Sequence, residues 1–226
     1  MPKELDIRLE SLTYTARFAK PLFSLWGKGG EIVGPLYDAL SPYGVTIGNI
    51  VVTGAMPNSA EPVVTVWVRG NSTVKFAFDR IEFALNGLTD EFFERIPKLF
   101  RDCTGWIKGE QPKCRFASHN FGYFCHVMVK NSTAREVLDA LNPKTLKAAG
   151  SSMGNASTFH CSVPAKNWTT RIMFDHSLAV PGALFIALII DTVTDELDYE
   201  ALMLDGRTYF RSVLAELDLT LPELAQ

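Results

Sequence analysis

The chain carries an internal echo. Asp38-Ala39-Leu40-Ser41-Pro42 returns as Asp139-Ala140-Leu141-Asn142-Pro143, each time where a short apolar stripe runs out before a proline. Proline lacks the backbone N–H and fixes φ, so it marks the end of a helix. The residues around each copy also follow a similar order of strands and helices. One folding unit used twice is the architecture this pattern predicts, and it constrains the fold more than any other feature of the sequence.

Periodicity fills in the unit. Residues 7–19 alternate, with Leu12, Tyr14, Ala16 and Phe18 on one face, which predicts a half-buried strand. A loop ending in Gly27-Lys28-Gly29-Gly30 leads to a short helix over 31–40, with Ile32, Leu36 and Leu40 along its stripe. Residues 45–53, 62–69 and 73–84 read as three strands, the last two joined at Gly70-Asn71-Ser72. Thr89 then caps a long helix over 90–107, striped by Phe92, Phe93, Ile96, Leu99, Phe100 and Cys103.

The second half repeats the order. Residues 114–129 predict a long strand, broken near Asn120-Phe121-Gly122, and 133–141 the short helix. After a longer loop over 144–155 come strands over 158–163, 168–174 and 183–193. A long helix over 198–217 closes the chain, with Tyr199, Leu202, Phe210, Val213, Leu214 and Leu217 inward. The fold class is therefore α+β: tandem β-α-β-β-β-α units, 1–110 and 111–226, forming a mainly antiparallel sheet with two long helices packed on one face.

Composition excludes several classes of function. Hydrophobic residues make up 47% and charged residues 21% of the 226, enough for a packed core. The net charge of −3 gives no electrostatic footprint for nucleic acid or an anionic membrane. The apolar run 177–190 is too short to span a bilayer and holds Pro181-Gly182. Four unpaired-looking cysteines and a charged, polar opening predict a cytoplasmic protein with free thiols, and the sequons at Asn71, Asn131, Asn155 and Asn167 then read as chance.

No residue pattern fixes a reaction, so no catalytic residue and no cofactor are expected. Cys103, Cys114, His119, Cys125, His126, His160 and Cys161 cluster in sequence, yet no C-x-x-C pair exists to set two thiolates at tetrahedral distance, so no metal is expected. Strand parity makes Cys125 and Cys161 small buried hydrophobes and turns His126 and His160 to the opposite face. The loops Gly27–Gly30 and 150–155 lack the phosphate-binding spacing. Asp175-His176 point to opposite sides of a strand, and Asp191 ends one, which is an ordinary turn position.

The most suggestive residues are Trp67 and Arg69. Val64, Val66 and Val68 take one face of a strand, which leaves Trp67 and Arg69 on the other, where such residues favour interfaces. The expectation is a non-catalytic binding or assembly protein acting through its sheet face or edges, with Trp67, Arg69, His126 and His160 as binding residues. Its partner would be itself or another protein. The alternative is a small-molecule binder or enzyme, with a pocket between the halves lined by His119, Tyr123 or Asp175.

Overall fold

A computed structural model describes residues 2–26, 29–53, 63–142 and 155–221. Residues 27–28, 54–62 and 143–154 lie outside the described residues, and with them half of Gly27–Gly30 and all but the last residue of 150–155. The fold is α+β, with ten strands and five helices among the described residues.

The first strand, β1 (Lys3–Phe18), buries Leu12, Tyr14, Ala16 and Phe18 in strict alternation, as the sequence predicts. After it comes a one-turn helix, α1 (Phe23–Trp26), where a loop is expected. It buries Leu25 and Trp26. The short helix α2 (Val33–Leu40) follows a 3-10 turn at Gly29–Ile32 and buries Leu36 and Leu40. Of the strand expected over 45–53, only β2 (Ile50–Val52) forms. The rest is a 3-10 turn at Ile47–Asn49, because Thr46 and Asn49 close a reciprocal capping box around it.

Strand β3 (Val64–Arg69) buries its valines as expected. The strand expected over 73–84 is instead a hairpin, β4 (Ser72–Phe76) and β5 (Arg80–Asn86). The Ala77 N–H donates to the Arg80 carbonyl (2.9 Å), and Asp79 holds Arg80 at 2.7 Å. Helix α3 (Asp90–Glu110) starts where predicted: Thr89 Oγ1 accepts from the Phe92 N–H. It buries Phe92, Ile96, Leu99, Phe100, Cys103 and Ile107.

Strand β6 (Phe116–Val129) runs without the expected break, although Phe116 and His119 are buried while Ala117 is exposed. Helix α4 (Ala134–Leu141) has Thr133 and Glu136 as its capping box. The strands β7 (Ser157–Val163), β8 (Trp168–His176) and β9 (Leu184–Thr192) follow. Then come α5 (Tyr199–Glu216), capped by Asp198 Oδ1 accepting from the Ala201 N–H (2.9 Å), and β10 (Leu219–Thr220). Two α5 assignments soften, since Val213 and Leu217 are half-buried. Gly206 of α5 sits so close to β9 that a Cβ there would meet the Ile190 side chain at 3.2 Å.

The strands hydrogen-bond in the order β2-β3-β4-β5-β1-β6-β9-β8-β7, with β10 joining β1 in parallel. The pairs β2–β3, β3–β4, β4–β5 and β7–β8 are antiparallel. Contacts group the chain into two units. The first comprises Met1–Ser11, Gly122–Ile190 and Leu204–Gln226, and the second Leu12–Phe121 and Asp191–Met203. Each has its own core: Phe174, Ile186 and Phe210 in the first, Phe76, Phe83 and Phe100 in the second.

Three of the four sequon asparagines lie in turns. Asn131 (φ 56°) and Asn167 (φ 54°) occupy left-handed turns, which asparagine tolerates better than other side chains do. Asn71 lies in the β3–β4 turn beside Gly70 (φ 51°).

Candidate functional site

A cleft of about 450 Å³ opens in the second unit, lined by the second half of α3, Phe116 at the start of β6, and the segment 195–200 that leads into α5. The Asp195 carboxylate organises one wall. It accepts from the Phe116 backbone N–H (2.7 Å) and pairs with Arg115 (3.4 Å) and Lys108 (3.8 Å). The Lys108 ammonium also lies 5.4 Å from the centre of the Phe116 ring. On another wall Arg101 pairs with Glu200. Both basic residues facing the cleft are thus matched by carboxylates, in partly exposed pairs of small energetic weight.

A buried polar chain runs from the cleft into the core of this unit. The hydroxyls of Thr104 and Tyr199, both in the cleft lining, are 3.2 Å apart, and the Tyr199 and Tyr14 hydroxyls are also 3.2 Å apart. The Tyr14 hydroxyl lies 2.6 Å from His119 Nδ1, and His119 Nε2 lies 3.0 Å from the Thr194 carbonyl. A carbonyl only accepts, which assigns the ring proton to Nε2 and leaves Nδ1 to accept from Tyr14. The rings add packing: Tyr14 lies 4.4 Å from Phe100 and 5.5 Å from Phe83.

Burial sets the protonation of this chain. It pushes the Tyr14 and Tyr199 hydroxyls up from their ordinary range and the His119 imidazole down. All three are neutral at neutral pH, and both His119 nitrogens are committed to protein partners. His119 therefore has no lone pair left to offer a substrate. In this arrangement the chain of hydroxyls holds α3, β1, β6 and the start of α5 in register.

The other residues proposed for a pocket have partners within their own unit. Tyr123 bonds to Glu10, and burial pushes its hydroxyl up. Asp175 Oδ1 accepts from the His176 backbone N–H at 2.7 Å. Both belong to the first unit, whereas His119 belongs to the second. Asp191 accepts from Asn120 Nδ2 at 2.7 Å.

Trp67 stands 43% exposed on β3, opposite the buried valines. Arg69 is exposed as well, beyond an irregularity that shifts the register with β4 between Trp67 and Arg69. Its guanidinium donates to Thr89 Oγ1 (3.2 Å) and lies over the Phe92 ring, at the start of α3. His126 is half-buried in the first unit. Its Nδ1 lies 2.7 Å from Ser177 Oγ, its ring packs on Phe185, and burial pushes its pKa down. His160, also in the first unit, is exposed on β7 and opposes Arg171 of β8. Two strands, β9 and β8, separate β6 from β7, so His126 and His160 are about 14 Å apart across the sheet, too far to ligate one metal ion.

The cysteines divide in an unexpected way. Cys103, Cys114 and Cys125 are buried, but Cys161 is an exposed free thiol, a correction to the parity reading. The same correction reaches Phe159, 36% exposed. Alternation places both on one face of the strand, but among the described residues β7 is the last strand of the sheet and most of it is exposed. Among the described residues no three His, Cys, Asp or Glu side chains come together as a metal site, and no helix is long and apolar enough to cross a membrane.

The edge strand is therefore the second candidate site. Five of its seven residues, Thr158 to Ser162, are exposed, and none of the seven is charged or proline. Compared with known proteins, the chain matches no family model and no curated protein.

Proposed function

We propose that this chain is a non-catalytic binding or assembly protein that engages another protein through the open edge of its sheet at β7. The observation that carries the reading is the composition of that edge. Sheet edges expose unpaired N–H and C=O groups, and proteins commonly blunt them with lysine, proline, bulges or brevity. The opposite edge, β2, is only three residues long. β7 has seven residues and none of these devices, and such an edge accepts an added strand. His160 lies at its centre, and exposed Trp67 offers a further contact surface on β3.

The same reading takes the fold as two tandem copies joined near residue 110, with the long helices α3 and α5 on one face of the sheet. The support is the order of elements, β1-α2-β3-β4-β5-α3 against β6-α4-β7-β8-β9-α5, with β2 as the extra strand of the first copy. Asp38-Ala39-Leu40 and Asp139-Ala140-Leu141 form the last three residues of α2 and α4, both eight residues long. A reducing, cytoplasmic setting fits the four free thiols.

A peptide-binding titration tests the function. A set of extended, uncharged peptides in excess is expected to bind the edge of the wild-type protein, displacing any copy paired there, and to lose binding on His160→Lys, which sets a charge at the centre of the edge. Equal binding by wild type and variant overturns the reading. A second reading, a small polar ligand in the cleft beside Tyr199 and Thr104, rests on the cleft volume and its hydroxyls. Native mass spectrometry that retains a small bound mass favours it.

A further inference from the structure

Resting on the reading of β7 as a binding edge, we propose that its partner is β7 of a second copy of this chain, paired antiparallel about a two-fold axis through His160.

The argument is the strand's complementarity to itself. A two-fold axis perpendicular to the sheet pairs a strand with its own copy in antiparallel orientation, and closed two-fold dimers are the commonest assemblies. One register uses all seven residues of Ser157–Val163, the one centred on His160. It sets Phe159 opposite Cys161 of the copy, Thr158 opposite Ser162, and Ser157 opposite Val163. Residues directly opposite in an antiparallel pair share a face, and each of these pairs is compatible. Thr158 and Ser162 are two hydroxyls able to bond across the strands. Phe159 and Cys161 make an aromatic–sulfur contact, a favourable soft pairing. Fixed charge does not oppose the pairing, because β7 holds no Lys, Arg, Asp or Glu.

The neighbouring strand leaves this edge free. β7 pairs with β8 from Ser157↔Phe174 to Val163↔Trp168, and among the described residues nothing pairs with its other side. Phe159 packs edge-to-face on Phe174 with centroids 6.0 Å apart, and the Cys161 thiol lies against the Tyr209 hydroxyl. Both side chains are thus held from behind while they remain exposed, so pairing with a copy requires little reordering of them.

Cysteine cross-linking in full-length protein reads out the register. In a Cys161→Ser background the three remaining cysteines are buried. His160→Cys then places two thiols face to face on the axis, within the distance that a disulfide spans. Thr158→Cys places its symmetry mates about 13 Å apart along the strands, beyond reach. The proposal expects a dimer by light scattering, a mild-oxidant cross-link at position 160 and none at 158. A dimer without the 160 cross-link overturns the register. A monomer that still binds a soluble peptide spanning Ser157–Val163 overturns self-assembly and leaves the edge-binding reading standing. A monomer that binds no such peptide overturns both.

Discussion

The Tyr14 hydroxyl and His119 Nδ1 meet at 2.6 Å in the core of the second unit, a contact between β1 and β6 that leaves both groups neutral. It accounts for a buried histidine that spacing alone could assign to a metal or to catalysis. Replacing Tyr14 by Phe strands His119 Nδ1 in a dry site. The expected loss is ~1–3 kcal/mol in urea denaturation, the cost of an unsatisfied buried acceptor. A loss near zero contradicts the hydrogen bond.

The same pair predicts a pH dependence. Burial lowers the proton affinity of His119 in the folded state, so the unfolded chain protonates first. Above the ordinary imidazole pKa of ~6.5 both states are neutral and the full stability is present. As pH falls below that value, the unfolded chain gains a proton that the folded chain does not, and stability declines by at most ~1.4 kcal/mol per pH unit for this group. The decline ends once pH drops below the depressed folded-state pKa. Urea melts from neutral pH downward check it, and His119→Asn should flatten the slope. Stability that rises on acidification contradicts the assignment.

The long helices carry the apolar cores of the two units. Phe100 and Phe210 are 0% and 1% exposed. Replacing either by Ala should cost ~3–5 kcal/mol in denaturant melts, as for other large-to-small core changes. A cost below ~1 kcal/mol would place the stripe out of register.

The thiols give a simple count. A thiol reagent should modify Cys161 rapidly in the native protein, while Cys103, Cys114 and Cys125 react only on unfolding. Cys161→Ser should abolish the fast phase. Two or more fast thiols contradict the burial of the other three.

Much of the fold was legible in local pattern. The alternation on β1, the Thr89 cap and most of the stripes of α3 and α5 form as their residues dictate. The β4–β5 hairpin was not, because Val74, Phe76 and Phe78 keep alternating into a turn that lacks glycine, proline and asparagine. The exposure of Phe159 and Cys161 was not legible either. Alternation tells which residues share a face, but not whether anything covers that face at a sheet edge. The partners of His119, the Tyr14 hydroxyl and the Thr194 carbonyl, lie 105 and 75 residues away in sequence, and no local signal joins them. The cleft likewise needs the run Asp195-Glu196-Leu197-Asp198 beside α3, a juxtaposition that only the tertiary fold creates.

The claim that β7 is an assembly edge is tested most directly by the solution mass of two proteins, wild type and His160→Lys, measured by light scattering at high concentration. Two lysines opposed on the axis repel, and an edge lysine blocks strand addition. The account predicts about 50 kDa for wild type, twice the chain mass of 25.1 kDa, and a folded 25.1 kDa monomer for the variant. A wild-type mass of one chain, or a variant that stays dimeric, contradicts it.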